Sequence, residues 1–280
     1  MVFSGMKTID ATTELYGVIG HPVGHSLGPA MHNRAFAATG YPGVYLAFDV
    51  TDIASAVAGI RGFHIGGISV TIPHKVAVMD YLDAVDETAK QIGAVNTVVN
   101  RDGRLTGFNT DAYGAVAALS EKMDPEGRDV AVIGAGGAAR AVAHGIGKKR
   151  GRVCIVNRNR EKGRKLAEEC NAAFLPYDEI GALSCDILIN TTPLGMAPNP
   201  ETIPVPEDIL HPGMTVMDIV YNPVKTRLLE CVEAAGCKTI DGVGMFVYQG
   251  ARQFELWTGW TAPVEQMRGV VYECLSAQGH

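Results

Sequence analysis

The stretch Val130 to Val142, VAVIGAGGAARAV, decides the reading of this chain. Val130 to Ile133 form an unbroken apolar run, the composition of a strand buried on both faces of a parallel sheet. Gly134, Gly136 and Gly137 follow at once, and then an alanine-rich run with helical composition. Strand, glycine turn and helix in that order are what a dinucleotide pyrophosphate requires. Gly134 permits a tight turn. Gly136 lets backbone N–H groups approach phosphate oxygens with no side chain between. The small Ala139 lets the helix pack close to the strand, and the helix N-terminus offers free N–H groups and the positive end of its dipole to an anion. With 33 glycines in 280 residues, a glycine-tolerant structural turn is the alternative.

The next strand, Arg152 to Val156, runs into Asn157-Arg158-Asn159-Arg160-Glu161-Lys162. An acidic residue at this point would hydrogen-bond a ribose 2′-hydroxyl and select NAD. Asn157 and Arg158 stand there instead, with Arg160 and Lys162 close behind. A 2′-phosphate needs donors and cations, so the pattern selects NADP. A solvated basic helix start fits less well, because cations are disfavoured at the N-terminal end of a helix dipole.

Upstream, Leu15–Ile19 reads as a first strand, followed by a loop of glycine, proline and small polar residues and a helix over Ala30–Thr39. Tyr45–Val50 is a second strand and Ile53–Ile60 a helix. Gly66–Thr71 is a further strand, stopped by Pro73, which leaves His74 and Lys75 at its end and a helix-like run over Lys75–Asp83. Lys75 is either a solvated charge or a catalytic group. Gly93–Val99 and Leu105–Asn109 read as strands flanking an Asp-Gly hairpin turn. Asp111 opens a helix-like run, as an ordinary N-cap or as a functional carboxylate. Downstream, Asp186–Asn190, Thr215–Ile219 and Lys238–Ile240 are strands, Thr226–Ala235 is a helix, and Phe246–Gly259 and Val264–Ala277 close the chain as helices.

Length allows one large or two modest domains. A formal charge of −6 argues against a nucleic-acid partner. The six cysteines are scattered with no CxxC pair, so the spacing indicates neither a zinc site nor a disulfide framework, and no metal is expected. MVFSGMKTID lacks the basic-then-apolar order of a leader, and no apolar run is long enough to cross a membrane. A cytoplasmic protein is the expectation.

Several segments together resemble the shikimate dehydrogenase family, nearly end to end. Its pattern Gly-x-Pro-x-x-His-Ser-x-Ser-Pro-x-x-His-Asn stands here as Gly20, Pro22, His25, Ser26, Gly28, Pro29, His32 and Asn33. The lysine motif is Ser69-Val70-Thr71-Ile72-Pro73-His74-Lys75. Ala94-Val95-Asn96-Thr97, Asn109-Thr110-Asp111, the glycine turn, Asn157-Arg158, Asn190 to Met196, Asp218 to Pro223 and Asp241 to Gly250 follow in order. The resemblance implies an α/β protein of two domains. An N-terminal α/β substrate domain, residues 1–112, is completed by the C-terminal helices, 243–280; a Rossmann-type NADP domain, 113–242, is inserted between. It implies reversible hydride transfer between NADPH and a cyclohexene carboxylate, interconverting 3-dehydroshikimate and shikimate, in a monomer or homodimer. Lys75 and Asp111 match the catalytic pair. Ser26, Thr71, Asn96, Tyr221 and Gln249 match substrate-binding positions. Gly134, Ala135, Gly136, Gly137, Ala138, Asn157, Arg158, Lys162, Thr191, Gly242 and Met245 match cofactor positions, with core packing the alternative for Met245.

The catalytic pair makes chemical sense. Oxidation of an alcohol releases a proton as hydride leaves, and reduction builds an alkoxide that needs one. An amine in a closed cleft serves both directions, and a carboxylate beside it orients the ammonium. The chain also departs from the family. Gly28 replaces the second serine of Ser-x-Ser, removing a carboxylate donor and, by the sequence, opening room at the ring's C1 end. Quinate carries a hydroxyl there, which admits a quinate or modified-shikimate dehydrogenase. Ser69 replaces the usual asparagine, which is expected to loosen the Lys75 loop. Asn159 replaces a threonine, and Lys162 an arginine. A non-catalytic ligand-sensing relative is the remaining alternative.

Overall fold

The computed structural model describes residues 8–278, so most of the N-terminal stretch read for a leader lies outside the described residues. The chain folds into two compact units: residues to Thr110 with Gln249 onward, and Asp111–Tyr248. The sequence places the boundaries after 112 and 242. Asp111 and Ala112 instead fall in the second unit because they begin a helix that packs there, and so does Met245, whose side chain lies in that unit's core.

The second unit is a six-stranded, wholly parallel sheet. Its strands are β7 (Asp129–Ile133), β8 (Arg152–Asn157), β9 (Ala173–Pro176), β10 (Ile187–Asn190), β11 (Thr215–Asp218) and β12 (Lys238–Ile240). They lie in the order β12-β11-β10-β7-β8-β9, the doubly wound arrangement. The alternation of β7 shows how the sheet is covered. Val130 and Val132 join one buried cluster with Ala139, Val142 and Ile146 of α5 (Gly137–Lys148). Ala131 and Ile133 join another with Leu228 and Val232 of α7 (Arg227–Ala234). Two apolar layers on one strand require the unbroken apolar run seen in the sequence. Helices α4 (Asp111–Ser120) and α6 (Arg160–Glu169) complete the first layer.

The first unit carries a mixed sheet, with β1 (Glu14–Gly20), β2 (Gly43–Asp49), β3 (Gly67–Val70), β4 (Ala84–Val85), β5 (Thr97–Arg101) and β6 (Arg104–Phe108) in the order β2-β1-β3-β5-β6-β4. β5 and β6 form the expected hairpin, with Asp102 and Gly103 both at positive φ (53° and 84°). Around the sheet lie α1 (Gly28–Thr39), α2 (Ile53–Gly62) and α3 (Glu87–Ile92), joined by α9 (Val264–Gln278) and, from Gln249 onward, by α8 (Gly242–Thr258). Two expectations are corrected. The run after Lys75 makes only a short 3-10 turn, Ala77–Tyr81. α8 starts at Gly242, with Asp241 accepting from the Val243 N–H at 3.0 Å at its N-terminus. The elements α3, β4 and β9 span six residues or fewer, too short for periodicity to register.

His32 on α1 is fully buried and stacks on Tyr45, ring centroids 4.4 Å apart. Burial pushes its imidazole down to about 3, against a weaker upward influence from Gln253. The unfolded chain therefore takes up a proton that the fold refuses between about pH 6.5 and pH 3, and stability falls as pH drops through that window, by up to about 1.4 kcal/mol per pH unit. A His32→Asn variant is expected to melt below the parent at pH 7, with the gap narrowing toward pH 4; a gap constant with pH contradicts this.

Candidate active site

In the second unit the loops after β7, β8 and β10 surround a cavity of about 500 Å³, at the point where the strand order reverses. Gly134 has φ +117°, and a Cβ there would lie 2.7 Å from Thr191 Oγ1. That hydroxyl donates to the Ile133 carbonyl at 2.6 Å, closing the two loops on each other. Gly136 is different. Its φ is −93°, and a Cβ built on it meets nothing within 4 Å; Gly137 is equally open. Neither backbone conformation nor packing within the protein asks for glycine at 136. The backbone at this helix start is therefore open to an anion.

Asn157 and Arg158 line the cavity, and no acidic residue does. Lys162 lies in the first turn of α6, its N–H held at 2.9 Å by Asn159 Oδ1, so the asparagine that replaces threonine still caps the helix. Arg160 is turned elsewhere, pairing with Asp178 at 2.6 Å and Glu179 at 3.5 Å. Other expected cofactor residues have different surroundings. A Cβ at Gly242 would fall 2.4 Å from the Ile219 carbonyl and 2.5 Å from that of Val220, so close backbone packing at the start of α8 accounts for this glycine. Met245 is buried in one cluster with Met217 and Ile240. Tyr221 stacks on Phe246 at 4.9 Å, and burial raises its phenol above the usual range.

The first unit holds Ser26, Thr71, Lys75, Asn96 and Gln249. Lys75 lies beyond β3, and its carbonyl accepts from the Val95 N–H at 2.8 Å, next to Asn96. His74 is buried, with Nε2 2.7 Å from the Val50 carbonyl, which pins the loop. Asn96 is buried: Oδ1 accepts from the Thr110 N–H at 2.8 Å, and Nδ2 donates to Thr110 Oγ1 at 3.0 Å and Gln249 Oε1 at 3.5 Å. Two expectations fail here. The room foreseen at Gly28 is narrow: a Cβ there would lie 3.2 Å from Ser26 Oγ and 3.3 Å from Tyr45 Cε1. Ser69, foreseen as a loosening residue, is tied on both sides, by Tyr45 at 2.6 Å and Gln253 at 2.8 Å.

Three family descriptions match in register. "Shikimate dehydrogenase substrate binding domain" matches residues 18–98, "Shikimate / quinate 5-dehydrogenase" residues 117–196, and "Shikimate 5'-dehydrogenase C-terminal domain" residues 242–272. The chain is 48% identical over 284 residues to the shikimate dehydrogenase (NADP(+)) of Methanopyrus kandleri, covering 96% of this chain and 98% of that one. It is 45% identical over 286 residues to that of Moorella thermoacetica, covering 97% of each. The chain belongs to the shikimate dehydrogenase family. Among solved structures of the family, that from Thermus thermophilus in complex with NADP(H) and shikimate superposes with a TM-score of 0.89, at 36% identity over 94% of this chain and all of that one.

What residue-by-residue reading missed in this member of the family is the frame beneath the β10 loop. Asp218, fully buried at the end of β11, accepts from Asn190 Nδ2 at 2.9 Å, Thr226 Oγ1 at 2.7 Å and the Val220 N–H at 3.0 Å. Burial raises its carboxyl above the usual range, while those three donors favour the ionised form. Asn190 Oδ1 in turn accepts from the Thr192 N–H at 3.0 Å and hydroxyl at 2.7 Å. One carboxylate thus sets the loop that lines the cavity. Asp218→Ala removes the shared acceptor of the Asn190 amide, the Thr226 hydroxyl and the Val220 N–H, at a cost of about 2–4 kcal/mol. A thermal melt should show a drop of several degrees; an unchanged melt contradicts this role.

Proposed function

We propose that this protein is an NADP-dependent shikimate dehydrogenase, interconverting 3-dehydroshikimate and shikimate. The observation that carries the reading is the cavity at the strand ends of the second unit, where the open backbone of Gly136 at the start of α5 and the cation Arg158 line one space and, among the described residues, no acid does. The residues present fit the cofactor. Gly134 to Ala138 bring backbone N–H groups and the α5 N-terminus to the pyrophosphate, and Thr191 lines the same cavity. Asn157, Arg158 and Lys162 offer donors and cations to the 2′-phosphate. When bound, the dinucleotide supplies or accepts the hydride.

The remaining work belongs to side chains. Lys75 is the acid/base: as a neutral amine it takes the hydroxyl proton on oxidation, and as an ammonium it returns it and steadies the developing alkoxide on reduction. Asp111 orients the ammonium. Ser26 binds the ring carboxylate, Thr71, Asn96 and Gln249 hydrogen-bond the hydroxyls, and Tyr221 covers the ring. The substrate domain comprises the first unit and the cofactor domain the second. No helix among the described residues is long and apolar enough to cross a membrane, no cluster of potential metal ligands occurs among them, and all six cysteines are free thiols. The protein is proposed to be a cytoplasmic monomer or homodimer acting on small molecules.

Purified protein with NADP⁺ and shikimate at alkaline pH is expected to form NADPH. Lys75→Ala should lower kcat by about 10²–10⁴-fold with NADPH affinity retained. Turnover of quinate but not shikimate overturns the reading in favour of a quinate enzyme, and tight binding of both ligands without turnover overturns it in favour of a sensor. Arg158→Ala should raise KM for NADP⁺ about ten- to a hundredfold and leave KM for NAD⁺ nearly unchanged, since hydrogen bonds to charged groups contribute about 1.5–3 kcal/mol. Equal losses for the two cofactors contradict the phosphate role.

A further inference from the structure

Gly28 and Ser69, the two departures on the substrate side, lie 41 positions apart in sequence and meet on one side chain, Tyr45. A Cβ at Gly28 would fall 3.3 Å from Tyr45 Cε1 and 3.4 Å from its hydroxyl oxygen, with Ser26 Oγ 3.2 Å away on another side. A side chain at 28 would therefore press on both Tyr45 and Ser26, which would have to give by a few tenths of an ångström. The phenol is 1% exposed, and burial keeps it protonated. It donates to Ser69 Oγ at 2.6 Å, and Ser69 Oγ donates to Gln253 Oε1 at 2.8 Å. Gln253 Nε2 donates to Thr97 Oγ1 at 3.0 Å and to the Asn96 carbonyl at 3.2 Å. Thr97 Oγ1 donates to Asn96 Oδ1 at 2.8 Å, and Asn96 Nδ2 reaches Gln249 Oε1 at 3.5 Å.

We infer that Tyr45 and Ser69 are paired positioning residues for substrate binding, and that Gly28 is the glycine that makes room for them. The inference rests on the proposed roles of Ser26, Asn96 and Gln249 in holding shikimate. The phenol ring walls the Ser26 end of the site. Ser69 carries that position through Gln253 to the Asn96 and Gln249 end, so the two ends keep a fixed spacing. Each buried group along the path has a partner. Losing one link leaves its neighbours free to turn without emptying the core. The two departures are then one feature: replacing serine by glycine at 28 does not remove a contact from an otherwise ordinary site, but lets the tyrosine stand where it does.

Steady-state kinetics with shikimate, with NADPH affinity measured by fluorescence, tests this. Tyr45→Phe and Ser69→Ala should each raise KM for shikimate about tenfold, with kcat within about twofold and NADPH affinity unchanged. The double variant should lose no more than the worse single one, because both cut the same path. Ser69→Thr, which keeps the hydroxyl, should restore KM. Gly28→Ser should raise KM rather than lower it. Losses that multiply in the double variant, a Ser69→Thr variant no better than Ser69→Ala, or a Gly28→Ser variant that binds shikimate more tightly would each overturn the inference. Silence of the parent protein with shikimate would instead reject the activity on which it rests.

Discussion

A pyrophosphate can be held by backbone N–H groups only where no side chain stands between them and the anion. Under the proposed function that constraint falls on Gly136, and the second unit is built to hold the turn around it. β7 is central in the sheet, covered on both faces, so its end is fixed. Gly134 turns the chain at a φ that other residues rarely adopt, and Thr191 fastens the turn to the β10 loop through the Ile133 carbonyl. Asp218 holds that loop from beneath through Asn190. A buried carboxylate with three donors is costly to break and leaves little freedom, which suits a frame for a charged ligand.

The substrate side solves a different problem. Its ligand is small and ringed with hydroxyls, so it needs several polar side chains at fixed spacing rather than bare backbone. Asn96 can serve because its amide is already oriented by Thr97 and Thr110, and because β5 and the hairpin beyond it bring residues 96 and 110 together. Lys75 gains its place from backbone contacts, the Val95 N–H and the buried His74, rather than from a helix. Both sites therefore place reactive groups at strand ends and fix them by satisfied buried polar groups one layer below.

The parallel sheet was legible because its strands are buried on both faces and must be apolar throughout. The NADP preference was legible because Arg158 stands where NAD would want a carboxylate. Short elements were not: β4 has two residues and α3 six, below any period. Glycines were read too uniformly. Gly136 is open and Gly242 is jammed against carbonyls, a distinction that exists only in three dimensions. The same holds for Gly28, whose missing side chain suggested empty space until Tyr45, distant in sequence, was seen to narrow it. Asp218 passed as part of a family motif because nothing in its neighbours reveals that Asn190 and Thr226 donate to it from farther along the chain.

The most direct measurement concerns Gly136. Alanine there has room in the folded protein and an ordinary φ, so Gly136→Ala should change folding stability by no more than about 1 kcal/mol, the scale of an N-cap exchange. Titration with NADPH should nevertheless show affinity weakened by about tenfold or more, because the added methyl group stands between backbone N–H groups and the phosphate oxygens. NADPH affinity unchanged in a variant that melts like its parent would contradict the account.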